Sequence, residues 1–157
     1  MNTVPPQILF VCLGNICRTP LAEAAMRAAA APAGFTVQVD SAGTGDWHIG
    51  CAPDPRAIAT AARRGIDISG LRGRQVTPAD FTAFDHVVAL DRRNLKDLRL
   101  ISPRNATAKL SMLLDHADGR AGQDVADPYF GDEAGFETAW SDIMSGVDGM
   151  LAKLKAK

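Results

Sequence analysis

Cysteine is scarce in this chain: there are three among 157 residues, an odd number. That excludes a disulfide framework as the source of stability and points to reduced thiols. The three histidines, His48, His86 and His116, lie far apart, and no Cys/His spacing resembles a metal site. Excess charge of either sign is also missing. Seventeen basic residues meet eighteen acidic ones for a net charge of −1, which removes the electrostatic case for nucleic acid or an anionic membrane as the main partner. No apolar run approaches the roughly 20 residues that a spanning helix needs. Repeats and low-complexity linkers are absent apart from an Ala-rich patch. Residues 1–6 lack the basic and apolar parts of a signal peptide and read as a disordered lead-in to a cytoplasmic protein. What remains, residues 7–157, suits one domain with one core.

Ile8-Leu9-Phe10-Val11 is a short continuous apolar run, as expected of a central parallel strand buried on both faces. A helix is predicted from Arg18 or Thr19. Pro20 suits a first-turn position, Leu21, Ala24, Ala25 and Ala28 line one face, and Pro32 and Gly34 end it. Phe35, Val37 and Val39 alternate with polar residues and predict an edge strand closing at Ser41-Ala42-Gly43. A second helix fits 55–64, with Gly65 as its stop. Val87-Val88-Ala89-Leu90 is another buried strand, followed by a helical stretch over 94–100 and a weaker strand over 110–113. Phe136, Trp140, Ile143, Val147, Met150 and Leu154 recur at helical spacing and define a long C-terminal helix. Strands alternating with helices imply a doubly wound α/β fold with right-handed crossovers. If the first strand is central, its C-terminal end is a topological switch point, where such folds bind ligands. The residue there is Cys12.

Cys12-Leu13-Gly14-Asn15-Ile16-Cys17-Arg18-Thr19-Pro20 joins that strand to that helix. Five residues between a cysteine and an arginine can curl with their N–H groups inward, making an anion nest at a helix N-terminus. Gly14 is expected to relieve the dihedral constraint of the turn. Arg18 supplies a planar fork for two phosphate oxygens, which a lysine would not match. The same surroundings favour the thiolate of Cys12, a nucleophile able to attack phosphorus in line and form a phosphocysteine. Thr19 is placed to donate its hydroxyl to the sulfur. The bland alternative is a strand-to-helix turn holding a buried cysteine and a capping threonine.

A departing oxygen needs an acid, and Asp127, in Ala126-Asp127-Pro128-Tyr129-Phe130, is the best candidate. Pro128 keeps the segment out of a regular helix. A protonated Asp127 donates to a leaving phenolate and then serves as base for water; the alternative is an ordinary Asp-Pro turn. Tyr129, the only tyrosine, and Phe130 are candidates to wall a slot for an aromatic leaving group, against plain core packing.

Cys12 to Pro20 resembles the phosphate loop of low-molecular-weight protein tyrosine phosphatases, whose usual form ends in Ser-Pro rather than Thr-Pro. The similarity extends in family order through Ser41-Ala42-Gly43-Thr44, Trp47-His48, Pro53-Asp54-Pro55-Arg56, Arg74-Gln75, Asp91, Asn94-Leu95 and Asp127-Pro128-Tyr129. It implies a four-stranded parallel sheet flanked by helices, and hydrolysis of phosphotyrosine or aryl phosphates without metal or other cofactor, releasing inorganic phosphate. It assigns Cys12 as nucleophile, Arg18 as phosphate clamp, Asp127 as general acid and base, and Leu13, Gly14, Asn15, Ile16 and Cys17 as the phosphate loop. Asn15 and Ser41 support that loop, and Trp47 and Tyr129 line the cleft. Many members carry a histidine near Gly70-Leu71 that holds the loop asparagine; its lack here leaves Asn15 to find another partner. Phe130 replaces a second tyrosine. Cys17 is either a redox partner of Cys12, as the resemblance implies, or a small buried filler. Cys51 has no assigned role.

Three rivals fit less of the sequence. A thioredoxin-linked arsenate reductase needs further redox cysteines, and none follows Cys51. A phosphocysteine carrier has little need of Asp127 or Arg18, and an idle phosphopeptide-binding module has no use for nucleophile and acid together. A basic rim of Arg72, Arg74, Arg92 and Arg93 is either a steering patch for acidic phosphopeptides or a solvated face.

Overall fold

Apolar residues on two opposite faces of one strand decide this architecture. A computed structural model describes residues 4–156; residues 1–3 of the expected lead-in, and residue 157, lie outside it. The elements are β1 Gln7–Cys12, α1 Arg18–Ala30, β2 Gln38–Gly43, α2 Pro55–Ala62, α3 Asp80–Ala83, β3 His86–Ala89, α4 Arg92–Ile101, β4 Lys109–Met112, a 3-10 turn Leu113–His116, and α5 Glu133–Lys155. The four strands form one parallel sheet in the order β2-β1-β3-β4.

Side chains alternate across a strand. Ile8 and Phe10 of β1 and Val88 of β3 face a cluster built from Leu21 and Ala25 of α1 and Phe136, Ile143 and Val147 of α5. Leu9 and Val11, with Val87 and Ala89, face the opposite cluster, closed by Phe81 of α3 and Leu98 of α4. Both faces of β1 are therefore covered, which explains a continuous apolar run where a half-exposed strand would alternate. Helix α2 joins the first cluster through Ala57 and Ala61. Two glycines bring α5 onto the 3-10 turn: a Cβ at Gly149 would stand 1.8 Å from the His116 carbonyl oxygen, and one at Gly146 2.5 Å from Leu113 Cγ.

Several boundaries differ from those the sequence predicts. The edge strand begins at Gln38 rather than Phe35 and runs to Gly43. Pro5 and Pro6 precede β1 and have no N–H to extend the ladder; Pro6 contributes only its carbonyl, which accepts from Gln38 N at 2.9 Å. Phe35 and Val37 remain half-buried against the core, so their alternation marks a packed lead-in, not pairing. Helix α2 ends at Ala62, its exit tightened by Arg64 N to Ala61 O at 2.9 Å and turned by Gly65 at φ 75°. Helix α4 starts at Arg92, because Asp91 caps it by accepting from Asn94 N at 2.7 Å. The short α3 carries no periodic signal and rests on Asp80, which accepts from Thr77 N at 2.8 Å.

From β1 the chain crosses to β2 on one side, and β3 lies on the other. The C-terminal end of β1 is thus the switch point of the sheet.

Candidate active site

Cys12 ends β1, paired with Gly43 of β2, and is buried. The loop after it passes so close to β2 that a Cβ on Gly43 would meet Leu13 O at 2.7 Å. Thr44 N and Gly45 N donate to the carbonyls of Cys12 and Leu13 at 2.9 and 3.0 Å, which ties the start of the loop to the end of β2. The residue that takes the left-handed conformation is Asn15, at φ 59°; Gly14 is not among the positive-φ residues. This corrects the expectation that Gly14 relieves the turn. Asparagine tolerates that region better than most residues, and Gly14 is instead crowded by His48, whose Cδ2 a Cβ would meet at 3.1 Å.

Hydrogen bonds explain why Asn15 holds this strained position. Its N–H donates to Cys12 Sγ at 3.3 Å. Its amide Nδ2 donates to Thr19 Oγ1 at 2.8 Å and Ser41 Oγ at 2.9 Å, and its Oδ1 accepts from Arg74 N at 2.9 Å. The partners of Asn15 are therefore two hydroxyls and a backbone amide, in a chain that has no histidine near Leu71. Thr19 Oγ1, already an acceptor, keeps its hydrogen for Cys12 Sγ, 3.1 Å away. Ser41 likewise passes its hydrogen to Glu23 Oε1 at 2.9 Å, and Arg27 closes the series on Glu23 Oε2 at 2.5 Å. Glu23 is 2% exposed. Burial pushes its carboxyl above the ordinary range, opposed by Arg27 and the Ser41 hydrogen bond. Nothing local to α1 marks Glu23 out; its reach to Ser41 of β2 is a tertiary fact.

Arg18 opens α1 and is buried. Its Nη1 donates to Asp91 Oδ2 at 2.7 Å and to Val125 O at 2.8 Å. Asp91 thus has two jobs, capping α4 and anchoring the guanidinium. The other edge of the guanidinium faces Asp127, with Nη2 3.7 Å from Oδ2. No side chain caps α1, so its first-turn N–H groups are not blocked at the loop. Cys17 precedes Arg18 and is also buried. Burial pushes its thiol up, with Asp54 and Asp127 adding to the effect. It is a free thiol, as are Cys12 and the exposed Cys51.

Asp127 lies on the segment before α5 and is partly exposed, its Oδ1 accepting from Tyr129 N at 3.0 Å. Arg56 positions that segment: it donates to Tyr129 O at 2.8 Å and Gly131 O at 2.9 Å, while Asp54 holds its other donors. Its guanidinium also stacks 4.7 Å from the Phe136 ring. Sequence gives Arg56 no role, because the two carbonyls it holds lie 73 and 75 positions away.

Residues 12–18, Trp47, His48, Asp127, Tyr129 and Phe130 line one cleft of about 150 Å³. Tyr129 and Phe130 stand edge to face, 4.9 Å apart. Phe130 is 93% exposed and Trp47 67%, so neither is a core residue. His48, on this wall, was given no task by the sequence. The structure therefore brings Cys12, Thr19, Asn15, Arg18, Ser41 and Asp127 to one strand end, with Trp47, Tyr129 and Phe130 at its mouth. Cys51 stays apart. Of the four arginines read as either a steering rim or a solvated face, Arg74 is bound to Asp40 and Asp80, Arg92 to Asp124, and Arg72 to the carbonyls of Ser69 and Leu71.

The family description "Low molecular weight phosphotyrosine protein phosphatase" matches residues 7–157. A relative of that name from Schizosaccharomyces pombe is 40% identical over 141 residues, 88% of this chain and 90% of the relative. The crystal structure of YfkJ from Bacillus subtilis superposes with a TM-score of 0.91 at 37% identity, covering 99% of this chain and 98% of that one. A Drosophila arginine phosphatase gives a TM-score of 0.89 at 29% identity, covering 94% and 97% respectively. With the pattern matched from Gln7 onward, and relatives of this identity aligned over most of both lengths, the chain belongs to the low molecular weight phosphotyrosine protein phosphatase family of phosphoric monoester hydrolases.

Proposed function

We propose that this protein hydrolyses phosphotyrosine and other aryl phosphate monoesters without metal, through a phosphocysteine on Cys12. The observation that carries the reading is the convergence of Cys12 Sγ, the Thr19 hydroxyl and the Arg18 guanidinium on one loop, with Asp127 3.7 Å from Arg18. Arg18 and the loop N–H groups bind the phosphoryl oxygens. The Cys12 thiolate attacks phosphorus, the bond to the aryl oxygen breaks, and protonated Asp127 gives its proton to that oxygen. Water then attacks phosphorus and loses a proton to the Asp127 carboxylate. The P–S bond breaks, Thr19 stabilises the returning thiolate, and inorganic phosphate leaves.

Aromatic walls favour a flat leaving group, and a deep nucleophile favours the long arm of tyrosine over serine. Because a structural neighbour is an arginine phosphatase, a phosphoarginine peptide belongs among the comparison substrates. A nucleophile that must stay reduced suits the cytoplasm, with residues 7–157 acting as one catalytic domain. The test is phosphate release from a phosphotyrosine peptide in EDTA and reductant. Wild type should be active and indifferent to EDTA, Cys12→Ser inactive, and Asp127→Asn slower by about 10²–10⁴-fold. Activity lost in EDTA, or surviving in Cys12→Ser, refutes the mechanism.

A further inference from the structure

Beyond the catalytic cleft, on the far side of Trp47, lies a second groove of about 200 Å³. Leu13 and Trp47 line both cavities, so Trp47 is a partition between them. Thr44 and Gly45 complete its lining with one stripe of α4, Arg93, Asp97 and Ile101, spaced four residues apart. Arg93 is exposed and makes no hydrogen bond or ion pair among the described residues, unlike the three other arginines of the expected basic rim. Trp47 and Ile101 leave apolar surface uncovered on either side, at 67% and 38% exposure.

We propose that this groove is a substrate subsite, which receives the residues flanking the phosphotyrosine of a phosphoprotein and prefers an acidic side chain at Arg93. The proposal rests on the phosphotyrosine-hydrolase reading above. Continuity with the catalytic cleft through Leu13 and Trp47 determines the occupant: a chain whose phosphotyrosine reaches Cys12 must cross the rim, and the Trp47 partition leads it onto α4. An uncommitted guanidinium there attracts a carboxylate at no cost in broken pairs. Asp97, one turn further along, opposes that attraction and keeps the preference modest. Ile101 and the Trp47 ring give a neighbouring apolar side chain a place to pack.

The experiment measures calorimetric binding of two phosphotyrosine peptides to Cys12→Ser, the two differing only in Glu or Gln at the positions next to phosphotyrosine. The Glu peptide should bind about threefold more tightly at low ionic strength, as an exposed charge pair allows, and the difference should shrink in high salt. Adding Arg93→Gln should erase the difference, and adding Asp97→Asn instead should widen it. A widened preference is a gain that misfolding does not produce. Equal binding of the two peptides, a preference that survives Arg93→Gln, or one unmoved by Asp97→Asn overturns the subsite. Because binding is read without turnover, failure of wild type to release phosphate counts against the hydrolase reading alone.

Discussion

Asn15 carries more of the site than any residue except Cys12. It adopts φ 59°, and its side chain makes three hydrogen bonds, to Thr19, Ser41 and Arg74 N. Strain at a functional position persists when its surroundings over-determine it, and here they do. Ser41 is the link most easily tested, since it accepts from Asn15 and donates to buried Glu23. Ser41→Ala leaves one Asn15 N–H and one Glu23 oxygen without partners, which should cost about 1–3 kcal/mol. Turnover should fall with it, while Ser41→Thr, which keeps the hydroxyl, retains most activity. Full activity and stability in Ser41→Ala would show that Thr19 and Arg74 suffice to hold Asn15.

At the scale of elements, the junction of the 3-10 turn with α5 has a pH signature. His116 is half-buried; its Nδ1 accepts from Lys153 Nζ at 3.2 Å, so its Nε2–H donates to Ser111 Oγ at 3.0 Å. Burial, with Lys153 adding to it, lowers its pKa from 6.5 to about 4, against the raising effect of Asp115. The native state therefore holds His116 neutral where the unfolded chain protonates it. Stability from this group is complete above pH 6.5 and is lost as pH falls toward 4. Thermal melts should show the midpoint declining across that window, with a shallower decline in His116→Gln; parallel curves for the two proteins would remove His116 as the cause. Element types were readable in the sequence from periodicity, as the β1 run and the α5 repeat show. The edges were not, because the start of β2 depends on which backbone groups Pro5 and Pro6 leave to pair.

For the whole molecule, the division between what sequence discloses and what it conceals follows sequence separation. Cys12 to Thr19 is one contiguous stretch from the end of β1 to the start of α1, and the chemistry proposed for it follows from residue types and spacing. The bonds that aim it are long-range: Arg18 to Asp91, Asn15 to Ser41, and Arg56 to Tyr129 span 73, 26 and 73 positions. No local pattern records them. Their effect is to bring together the proposed nucleophile at the end of β1, the Asp91 anchor at the start of α4 and the proposed acid in the segment before α5. In the mechanism proposed above, the phosphoryl group passes through Cys12. A rapid denaturing quench of wild type during turnover of an aryl phosphate, followed by mass spectrometry of its cysteine peptides, tests it directly. One phosphoryl group on the peptide containing Cys12, absent from Cys12→Ser, is the predicted result; turnover with no phosphorylated cysteine, or with the phosphoryl group on Cys17, would contradict it.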